Sequence, residues 1–335
     1  MKSQQIDNLA SDELAAHLVI LGFDGPKLPI EVGYWLKKGL AGVALFKRNI
    51  VDRNQVRSLC DQIYEAAYPI VPIISVDQEG GRVQRLRGLL TEVPPSAKMG
   101  DDQYYWGKTI GQGLAELGFN LDFAPVLDVH TNPANPIIGD RAFSQDPQKV
   151  AVLALEFLAG LKSTGVKGCG KHFPGHGDAN KDSHLELPVL ELTQDVLFQR
   201  ELVPFKAAID AGIEMIMTAH CMLKAIDPTY IATLSKILLT DILRNRLGFE
   251  GCIITDDLGM AGISKGYTMQ QITAYGLDAG IDLFLHCGAA LEGIAVIENL
   301  QRLIETSEES RALAIKAAQR VEAFRFGLQR FSYNA

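Results

Sequence analysis

Residues 248–257 read Gly-Phe-Glu-Gly-Cys-Ile-Ile-Thr-Asp-Asp, and this stretch contains the pattern that decides the fold. A helix-like segment ends at Gly248, because glycine readily takes the left-handed turn that often follows a helix C-terminus. From Gly251 to Ile254 the residues are apolar without interruption, which is typical of a parallel strand covered on both faces. Two carboxylates come directly after them. The stretch therefore predicts a helix end, a buried parallel strand and a polar strand end in succession.

The same unit recurs along the chain, and glycine marks its boundaries. Six glycines each end a helix-like segment and lead into an apolar run: Gly39, Gly118, Gly165, Gly212, Gly248 and Gly280. The apolar runs predict eight parallel strands, at 17–23, 42–46, 71–76, 120–125, 166–171, 214–218, 251–255 and 281–285. The chain is therefore predicted to alternate strands with helices over most of its length.

Helical patterns lie between the predicted strands. The clearest begins at Asp52, which together with Gln55 resembles a capping box. The apolar side chains of this segment recur with the period of a helix and share one face: Val56, Leu59, Cys60, Ile63 and Ala67. Pro204 interrupts a pattern that begins near Asp195, so we expect a break with Pro204 at the first position of a helix that ends before Gly212. Residues beyond 309 predict a closing helix.

Eight strand–helix units without a low-complexity linker predict a single-domain (β/α)₈ barrel over residues 1–335, with the terminal helices included. Such a barrel usually takes about 250 residues, which leaves room here for loops. A doubly wound parallel sheet is the alternative. The barrel is favoured because no Gly-x-Gly-x-x-Gly motif opens a helix after the first strand, and because polar clusters follow nearly every strand.

The polar clusters all fall where predicted strands end. They are Lys47-Arg48-Asn49, Asp77-Gln78-Glu79, Asp128, Lys171-His172, His220, Asp256-Asp257 and His286. In a barrel the carboxyl ends of the strands converge on one mouth. Residues far apart in sequence, such as Asp77 and Asp256, are therefore expected to become neighbours around one pocket.

Composition limits the classes of partner. The chain has 335 residues, 47% of them hydrophobic, and 32 basic against 40 acidic side chains give a net charge of −8. No basic run is present, which argues against nucleic acid, and no apolar run is long enough to span a membrane. The N-terminus lacks the pattern of a secretory signal, and five dispersed cysteines suit reduced core thiols. We therefore expect a cytoplasmic protein.

A histidine-rich stretch follows the fifth predicted strand. Residues 171–184 read Lys-His-Phe-Pro-Gly-His-Gly-Asp-Ala-Asn-Lys-Asp-Ser-His. Imidazoles beside carboxylates either move protons or hold a metal ion. Asp182 and His184 are two residues apart, so the carboxylate could orient and polarise the ring for proton transfer. Alternatively, the three histidines and either aspartate would supply enough ligands for zinc.

Two other segments place charged groups at strand ends. Asp256 would sit on rigid backbone at the barrel mouth, which suits a nucleophile, although Asp256 or Asp257 could instead cap the next helix. Residues 77–85 read Asp-Gln-Glu-Gly-Gly-Arg-Val-Gln-Arg, and the glycines of this turn would let a ligand approach the backbone closely. Recognition of hydroxyl groups is one interpretation of this turn, and an internal ion pair is the other. Arg141 alone could be a solvated arginine.

Three motifs together resemble glycoside hydrolase family 3, in particular its bacterial β-N-acetylhexosaminidase (NagZ-like) branch. They are residues 171–178 followed by Asp182-Ser183-His184, residues 77–85, and Thr255-Asp256-Asp257-Leu258. The resemblance extends from about His17 to Ala290. It implies a (β/α)₈ barrel, which agrees with the fold derived from the strand pattern.

The resemblance also implies roles for individual residues. Asp256 matches the family nucleophile, which forms a covalent glycosyl-enzyme with retention of anomeric configuration. His184 matches the general acid/base, and Asp182 matches the aspartate that orients and polarises it. The positions that match sugar-binding residues are Asp77, Arg85, Arg141, Lys171 and His172.

The resemblance thus implies an exo-β-N-acetylglucosaminidase that acts on peptidoglycan-derived muropeptides in cell-wall recycling, with no metal and no organic cofactor. A β-glucosidase or other β-glycosidase of the family is the first alternative, and Thr255-Asp256-Asp257-Leu258 is less similar to the glucosidase motif. A metal-dependent barrel hydrolase is an alternative of another class. A sugar-binding protein without turnover is a third, against which the set Asp182, His184 and Asp256 argues.

Overall fold

The computed structural model describes residues 6–179, 183 and 186–331. Eight short strands form one parallel sheet, and two more form a separate antiparallel hairpin. Asp182 and His184, two of the residues singled out from the sequence, lie outside the described residues. The strands are β1 Val19–Leu21, β2 Gly42–Ala44, β3 Ile73–Val76, β4 Gln78–Gly80, β5 Val83–Gln84, β6 Leu121–Asp122, β7 Lys167–Phe173, β8 Met215–Thr218, β9 Cys252–Ile254 and β10 Phe284–His286.

The large sheet closes on itself as a (β/α)₈ barrel. Its hydrogen-bonded order is β10-β1-β2-β3-β6-β7-β8-β9, and every pairing is parallel. Closure between the end strands comes from a parallel bridge between Ile254 and Leu283, next to which Thr255 N–H donates to the Leu283 carbonyl at 3.0 Å. The predicted fold class is therefore confirmed. The β4–β5 hairpin lies outside this ring, directly after β3.

Helices cover the outside of the barrel. The α-helices are α1 Ser11–Ala16, α2 Ile30–Lys37, α3 Arg53–Ala67, α4 Gln103–Leu117, α5 Pro147–Lys162, α6 Gln194–Val196, α7 Leu202–Asp210, α8 Ala261–Ser264, α9 Met269–Ala279, α10 Ala290–Thr306 and α11 Glu308–Phe326. Two π-helical segments, Leu197–Glu201 and Ile237–Arg246, interrupt this series. No helix among the described residues combines the length and apolar character needed to cross a bilayer.

All eight predicted strands are present, most of them shorter than the apolar runs that predicted them. The last one is also displaced, because the run 281–285 becomes a strand at Phe284–His286. The six boundary glycines all have positive φ, between 71° and 104°. The left-handed turn that the sequence predicts after each helix-like segment is therefore confirmed.

Helix α3 follows its prediction closely. Asp52 is the N-cap, and its Oδ1 accepts from Gln55 N–H at 2.9 Å. The Gln55 side chain returns to the N–H of Val51 rather than to that of Asp52, so the capping box is displaced by one residue. The five predicted apolar residues are all buried.

The position predicted for Pro204 is wrong by two residues. Helix α7 begins at Leu202, so that Pro204 occupies its third position, and the irregular π-helical turn Leu197–Glu201 comes before it. Proline has no N–H to donate to the carbonyl of Arg200, four residues earlier. The break in the regular α-helical pattern therefore falls before the proline. The predicted closing helix is confirmed as α11.

Side chains alternate between the inside and the outside of the barrel along each strand, as the two-residue period of a strand requires. In β1, Ile20 belongs to the interior cluster, whereas Val19 and Leu21 pack outward against the helices. Two residues in the last turns of α11, Val321 and Phe324, and Leu328 just after it belong to the interior cluster as well. The C-terminal helix therefore fills the end of the barrel opposite the mouth.

Helices α4 and α5 contact each other through glycine, and this contact gives a test of packing. A Cβ on Gly160 would lie 2.1 Å from the carbonyl oxygen of Tyr104, so the backbones meet directly. Gly160→Ala should lower the free energy of unfolding by about 1–3 kcal/mol, because the helices would have to separate.

The matched control is Gly33→Ala in α2, where the nearest atom to a new Cβ is a Leu28 methyl group 3.9 Å away. This substitution should be neutral or stabilising by up to about 1 kcal/mol, because alanine favours helix over glycine. Urea denaturation of both variants measures the difference. Equal effects at the two positions would contradict the direct backbone contact.

Candidate active site

A cavity of about 190 Å³ opens at the mouth of the barrel, where the strands end. Six of the eight residues predicted for the site line it, so the structure brings these distant segments together. The lining residues are Phe46, Asp77, Glu79, Val83, Arg85, Phe123, Ile137, Arg141, Lys171, His172, His176, Ser183, Met217, Asp256, Asp257, Met260, Leu285 and Cys287.

Successive side chains of a strand point to opposite sides, and this alternation places the polar side chains in the cavity. A side chain two or four residues beyond an inward-facing strand position points the same way. Three inward-facing core residues are continued in this manner by polar residues that line the cavity. The pairs are Ile73 and Asp77, Cys169 and Lys171, and Ile254 and Asp256.

Five charged side chains form a continuous network in one wall. Lys171 Nζ donates to Asp77 Oδ1 at 2.7 Å and to Glu79 Oε1 at 2.6 Å. Glu79 also accepts from Nε and Nη2 of Arg141, each at 2.8 Å. Arg85 Nη2 lies 3.3 Å from the second carboxylate oxygen of Asp77. The network therefore joins the ends of β3 and β7 to the loop that carries Arg141.

The opposite charges of this network keep its members ionised although they are buried. Burial alone would raise the pKa of Glu79, but Arg141 and Lys171 outweigh it and hold that pKa well below its usual range. Burial likewise opposes ionisation of Asp77, and Lys171 and Arg85 lower its pKa. For Lys171, burial would lower the pKa, but Asp77 and Glu79 raise it above its ordinary value. All of these groups are therefore ionised at neutral pH.

Asp128 positions the first histidine of the loop. Its Oδ2 lies 2.7 Å from His172 Nδ1, and its Oδ1 accepts from the backbone N–H groups of His172 and His176 at 3.2 and 2.7 Å. Burial would raise the pKa of Asp128, but the neighbouring His172 outweighs it and the pKa is lowered. The carboxylate thus fixes the orientation of the His172 ring and leaves Nε2 as its nitrogen for the cavity.

His176 lies beside His172, with ring centres 6.1 Å apart. Its Nε2 is 3.1 Å from the hydroxyl of Ser183, and burial lowers its pKa. Ser183 also lines the cavity, and its carbonyl accepts from Gly262 N–H at 2.9 Å. The residue that separates Asp182 from His184 in sequence therefore lies at the mouth of the barrel.

The two carboxylates after β9 have different surroundings. Asp257 Oδ1 accepts from the N–H groups of Gly259 and Cys287, at 3.0 and 2.8 Å, and so ties the end of β9 to the end of β10. Asp256 Oδ1 accepts from Asp257 N–H at 2.8 Å. The capping role considered for this pair is not found, because the N-cap of α8 is Met260. Asp257 instead stabilises a turn, and both carboxylates line the cavity.

The rings of His172, His176 and His220 each form a hydrogen bond with a neighbouring side chain. Within residues 6–179, 183 and 186–331, no group of three His, Cys, Asp or Glu side chains has the arrangement of a metal site. All five cysteines lie within these ranges, and none forms a disulfide.

Glu79 and Asp128 fall at predicted strand ends, but no role for either is predicted from the sequence. Glu79 follows Asp77 by two residues, so the strand period could have placed both on the same side. Asp128 carries no such signal, because its contact with His172 joins two different strand ends. The apolar rim residues Phe46 and Met260 were also not anticipated.

The loop that follows β7 rests on a buried acid. A Cβ on Gly175 would lie 2.6 Å from Glu201 Oε2, so the carboxylate of Glu201 lies against the loop backbone. Its other oxygen accepts from Arg200 Nε at 2.7 Å, and Arg200 Nη2 lies 3.5 Å from Asp178 Oδ2. Burial raises the pKa of Glu201 to about 7, in spite of the opposing effect of Arg200.

Comparison with known proteins gives consistent matches. A family model described as the glycosyl hydrolase family 3 N-terminal domain matches residues 18–324. A relative from Thiobacillus denitrificans, named a β-hexosaminidase, is 39% identical over 264 residues, which are 74% of this chain and 71% of the relative.

Two solved structures are similar over nearly all of the barrel. A family 3 β-N-acetylglucosaminidase from Paenibacillus has a TM-score of 0.89 and 33% identity, over 94% of this chain and 62% of that longer one. NagZ from Neisseria gonorrhoeae, solved with N-trifluoroacetyl-D-glucosamine, has a TM-score of 0.76 and 29% identity, over 90% of this chain and 97% of that one.

Glu79→Gln tests the charged network. The change would leave the buried Lys171 with Asp77 alone and remove the carboxylate that Arg141 contacts, so we expect the free energy of unfolding at pH 7 to fall by about 3–5 kcal/mol. Glu92→Gln is the control, because Glu92 is 63% exposed and lies 3.7 Å from Arg87. It should cost less than about 1 kcal/mol. Similar losses in both variants would show that the network does not stabilise the fold.

Glu201→Gln tests the buried acid. The pKa of Glu201 is about 7 in the folded protein and 4.5 ordinarily, so between these pH values the folded protein keeps a proton on Glu201 that the unfolded chain has lost. The free energy of unfolding of the wild type therefore falls as pH rises from about 4.5 to 7. The glutamine variant lacks this loss. Between pH 5 and pH 8 its free energy of unfolding should gain about 2–3 kcal/mol relative to wild type, as measured by urea denaturation. Parallel pH profiles would contradict the raised pKa.

Proposed function

The chain belongs to glycoside hydrolase family 3, and from this membership and the cavity we propose that it removes terminal N-acetylglucosamine from β-glycosides. The observation that carries the proposal is the meeting of Asp256 with the buried network of Asp77, Glu79 and Lys171 around one small cavity. The names of the relatives from Thiobacillus and Paenibacillus support the choice of an N-acetylhexosamine over other sugars.

The sugar ring would be held by the charged wall of the cavity. A sugar hydroxyl both donates and accepts, so it can use the ammonium of Lys171 and the carboxylate of Asp77 together. Hydrogen bonds to ionised partners are about twice as strong as neutral ones. Arg85, Arg141 and His172 complete the proposed binding set, and Asp128 keeps the His172 ring in place for it.

Asp256 would act as the nucleophile. Its carboxylate attacks the anomeric carbon while the bond from that carbon to the leaving-group oxygen breaks, and a covalent glycosyl-enzyme forms. Water then attacks the same carbon from the opposite face and releases Asp256. Two inversions in sequence retain the anomeric configuration. The position of Asp256 directly after a buried barrel strand supports this role, because rigid backbone limits the motion of the nucleophile.

His184 would supply the proton. It protonates the leaving-group oxygen in the first step and takes a proton from the incoming water in the second, and Asp182 orients and polarises its ring. An imidazole has a reference pKa of about 6.5, so it needs less adjustment than a carboxylic acid to work near neutral pH. The sequence motif and the place of Ser183 in the cavity wall support this assignment.

The natural substrates would be muropeptides released from peptidoglycan, cleaved in the cytoplasm during cell-wall recycling. The NagZ-like motifs support this proposal, and the unpaired cysteines suit a reducing compartment. The barrel would contain the whole catalytic apparatus, without a metal ion or organic cofactor.

Hydrolysis of paired aryl β-N-acetylglucosaminide and β-glucoside substrates tests the function. The wild type should prefer the N-acetyl substrate and should be indifferent to EDTA. Asp256→Ala should lower kcat/KM by about 10³-fold or more, because the covalent route is lost. Added azide should restore part of the turnover of this variant, because the small anion can attack in place of the missing carboxylate.

The competing functions give different results in the same assay. Preference for the glucoside would indicate a β-glucosidase, and loss of activity with EDTA would indicate a metal-dependent hydrolase. An Asp256→Ala variant that keeps its activity and its thermal stability would exclude Asp256 as the nucleophile.

A further inference from the structure

His220 is a fully buried histidine that follows β8 and does not line the cavity. It belongs to the polar clusters that end the predicted strands, but the proposed function gives it no role. A Cβ on Gly262 would lie 3.4 Å from the Cβ of His220, so the histidine packs against α8. The ring therefore lies behind the cavity wall, between the end of β8 and the residues that follow β9.

Both nitrogens of this ring have a hydrogen-bond partner. Nε2 lies 3.1 Å from the backbone carbonyl oxygen of Asp257, and Nδ1 lies 2.7 Å from the hydroxyl of Thr233. Burial lowers the pKa of His220 and outweighs the nearby Asp256 carboxylate, which would raise it, so the ring is neutral. A neutral ring has one N–H, and a carbonyl oxygen only accepts, so Nε2 carries the hydrogen.

Thr233 fixes the other side of the ring. Because Nδ1 carries no hydrogen, it accepts from the Thr233 hydroxyl. The same hydroxyl lies 3.1 Å from the carbonyl oxygen of Ala219, which is the more distant of the two acceptors. The ring is therefore held on both sides, with its N–H directed at Asp257.

Asp257 is anchored from both neighbouring strands. Its backbone carbonyl accepts from His220, which follows β8, and its Oδ1 accepts from the N–H of Cys287, which follows β10. Asp257 itself follows β9, which pairs with β8 and bridges to the residue before β10. The two contacts therefore restrain Asp257 from opposite sides of its own strand.

Asp257 in turn restrains the proposed nucleophile. Its N–H donates to Oδ1 of Asp256 at 2.8 Å. In the part of the chain that the structure describes, Oδ2 of Asp256 has no hydrogen-bond partner. Oδ2 is therefore the oxygen available to attack the anomeric carbon, and its direction depends on how firmly Asp257 is held.

We propose that His220 is a positioning residue for Asp256, which it aligns through Asp257. This deepens the proposed function and rests on the assignment of Asp256 as the nucleophile. The ring holds Asp257 in place, the N–H of Asp257 holds Oδ1, and Oδ2 is thereby aligned with the anomeric carbon. A misplacement of about 1 Å can cost about 10²-fold in rate. His220 thus contributes to the rate without contacting the substrate.

His220→Leu tests the proposal, because it removes both hydrogen bonds and fills a similar volume. The kcat/KM for an aryl β-N-acetylglucosaminide should fall by about 10²-fold. The inhibition constant of free N-acetylglucosamine should change by less than about threefold, since His220 affects the transition state and not the binding of the sugar. His220→Gln keeps an N–H donor for Asp257 and should recover about tenfold of the lost kcat/KM.

Two further variants separate alignment from general damage to the fold. Thr233→Val removes the hydroxyl that holds the ring and should lower kcat/KM by about three- to tenfold, as for one lost hydrogen bond. His17→Leu is the matched control. His17 is also buried, and its Nδ1 lies 2.8 Å from the Glu13 carbonyl, but it comes before β1, at the opposite end of the barrel from the mouth. Its kcat/KM should be that of the wild type.

The same leucine substitution in the Asp256→Ala background asks whether His220 acts through Asp256. With azide as the external nucleophile, His220→Leu should leave the restored turnover unchanged, because the carboxylate that His220 aligns is absent. A loss as large as in the wild-type background would overturn the proposal. So would an unchanged kcat/KM in His220→Leu, or an equal loss in His17→Leu.

Failure of the proposed function gives a different result. The wild type would then not cleave the N-acetyl substrate, or Asp256→Ala would keep its activity without azide. If Asp256→Ala is inactive and His220→Leu behaves as the wild type, the proposed function stands and only the role of His220 is lost.

Discussion

The ammonium of Lys171, buried between the carboxylates of Asp77 and Glu79, is the interaction on which the rest of the site depends. An unpaired charge at such a depth would cost several kcal/mol, so these three side chains must stay together. Asp77 follows β3, Glu79 lies in the adjoining β4, and Lys171 lies in β7, which is not a neighbour of β3 in the barrel. The ion pairs therefore fix the shape of the mouth across β6, which lies between those strands.

The same network prepares the cavity for a polar ligand. Its donors and acceptors are already oriented by one another and by Arg141, and Asp128 does the same for His172. A site arranged in advance needs little reorganisation when substrate binds, which is the usual source of electrostatic catalysis. The apolar residues Phe123, Met217 and Leu285 line the same cavity. Electrostatic interactions are stronger beside such apolar surfaces than in bulk water.

The order of strands and helices could be predicted from the sequence, because glycine and continuous apolar runs are local signals. The convergence of Asp77, Lys171 and Asp256 followed from the barrel itself. Contacts between different strand ends, such as that of Asp128 with His172, depend on three-dimensional placement and were not predictable. The predicted position of the helix break near Pro204 was wrong by two residues, because the π-helical turn before it has no simple sequence signature. The roles of Asp182 and His184 remain predictions.

The packing of α11 into the barrel has a consequence for synthesis of the chain. Val321, Phe324 and Leu328 fill the end of the interior opposite the mouth, yet they follow all eight strands in the sequence. On the ribosome, chains emerge and fold from the N-terminus. The strands therefore leave the exit tunnel before the residues that complete their interior. The nascent barrel keeps an open, apolar floor until α11 emerges, and apolar surface exposed in this way during folding is prone to aggregation.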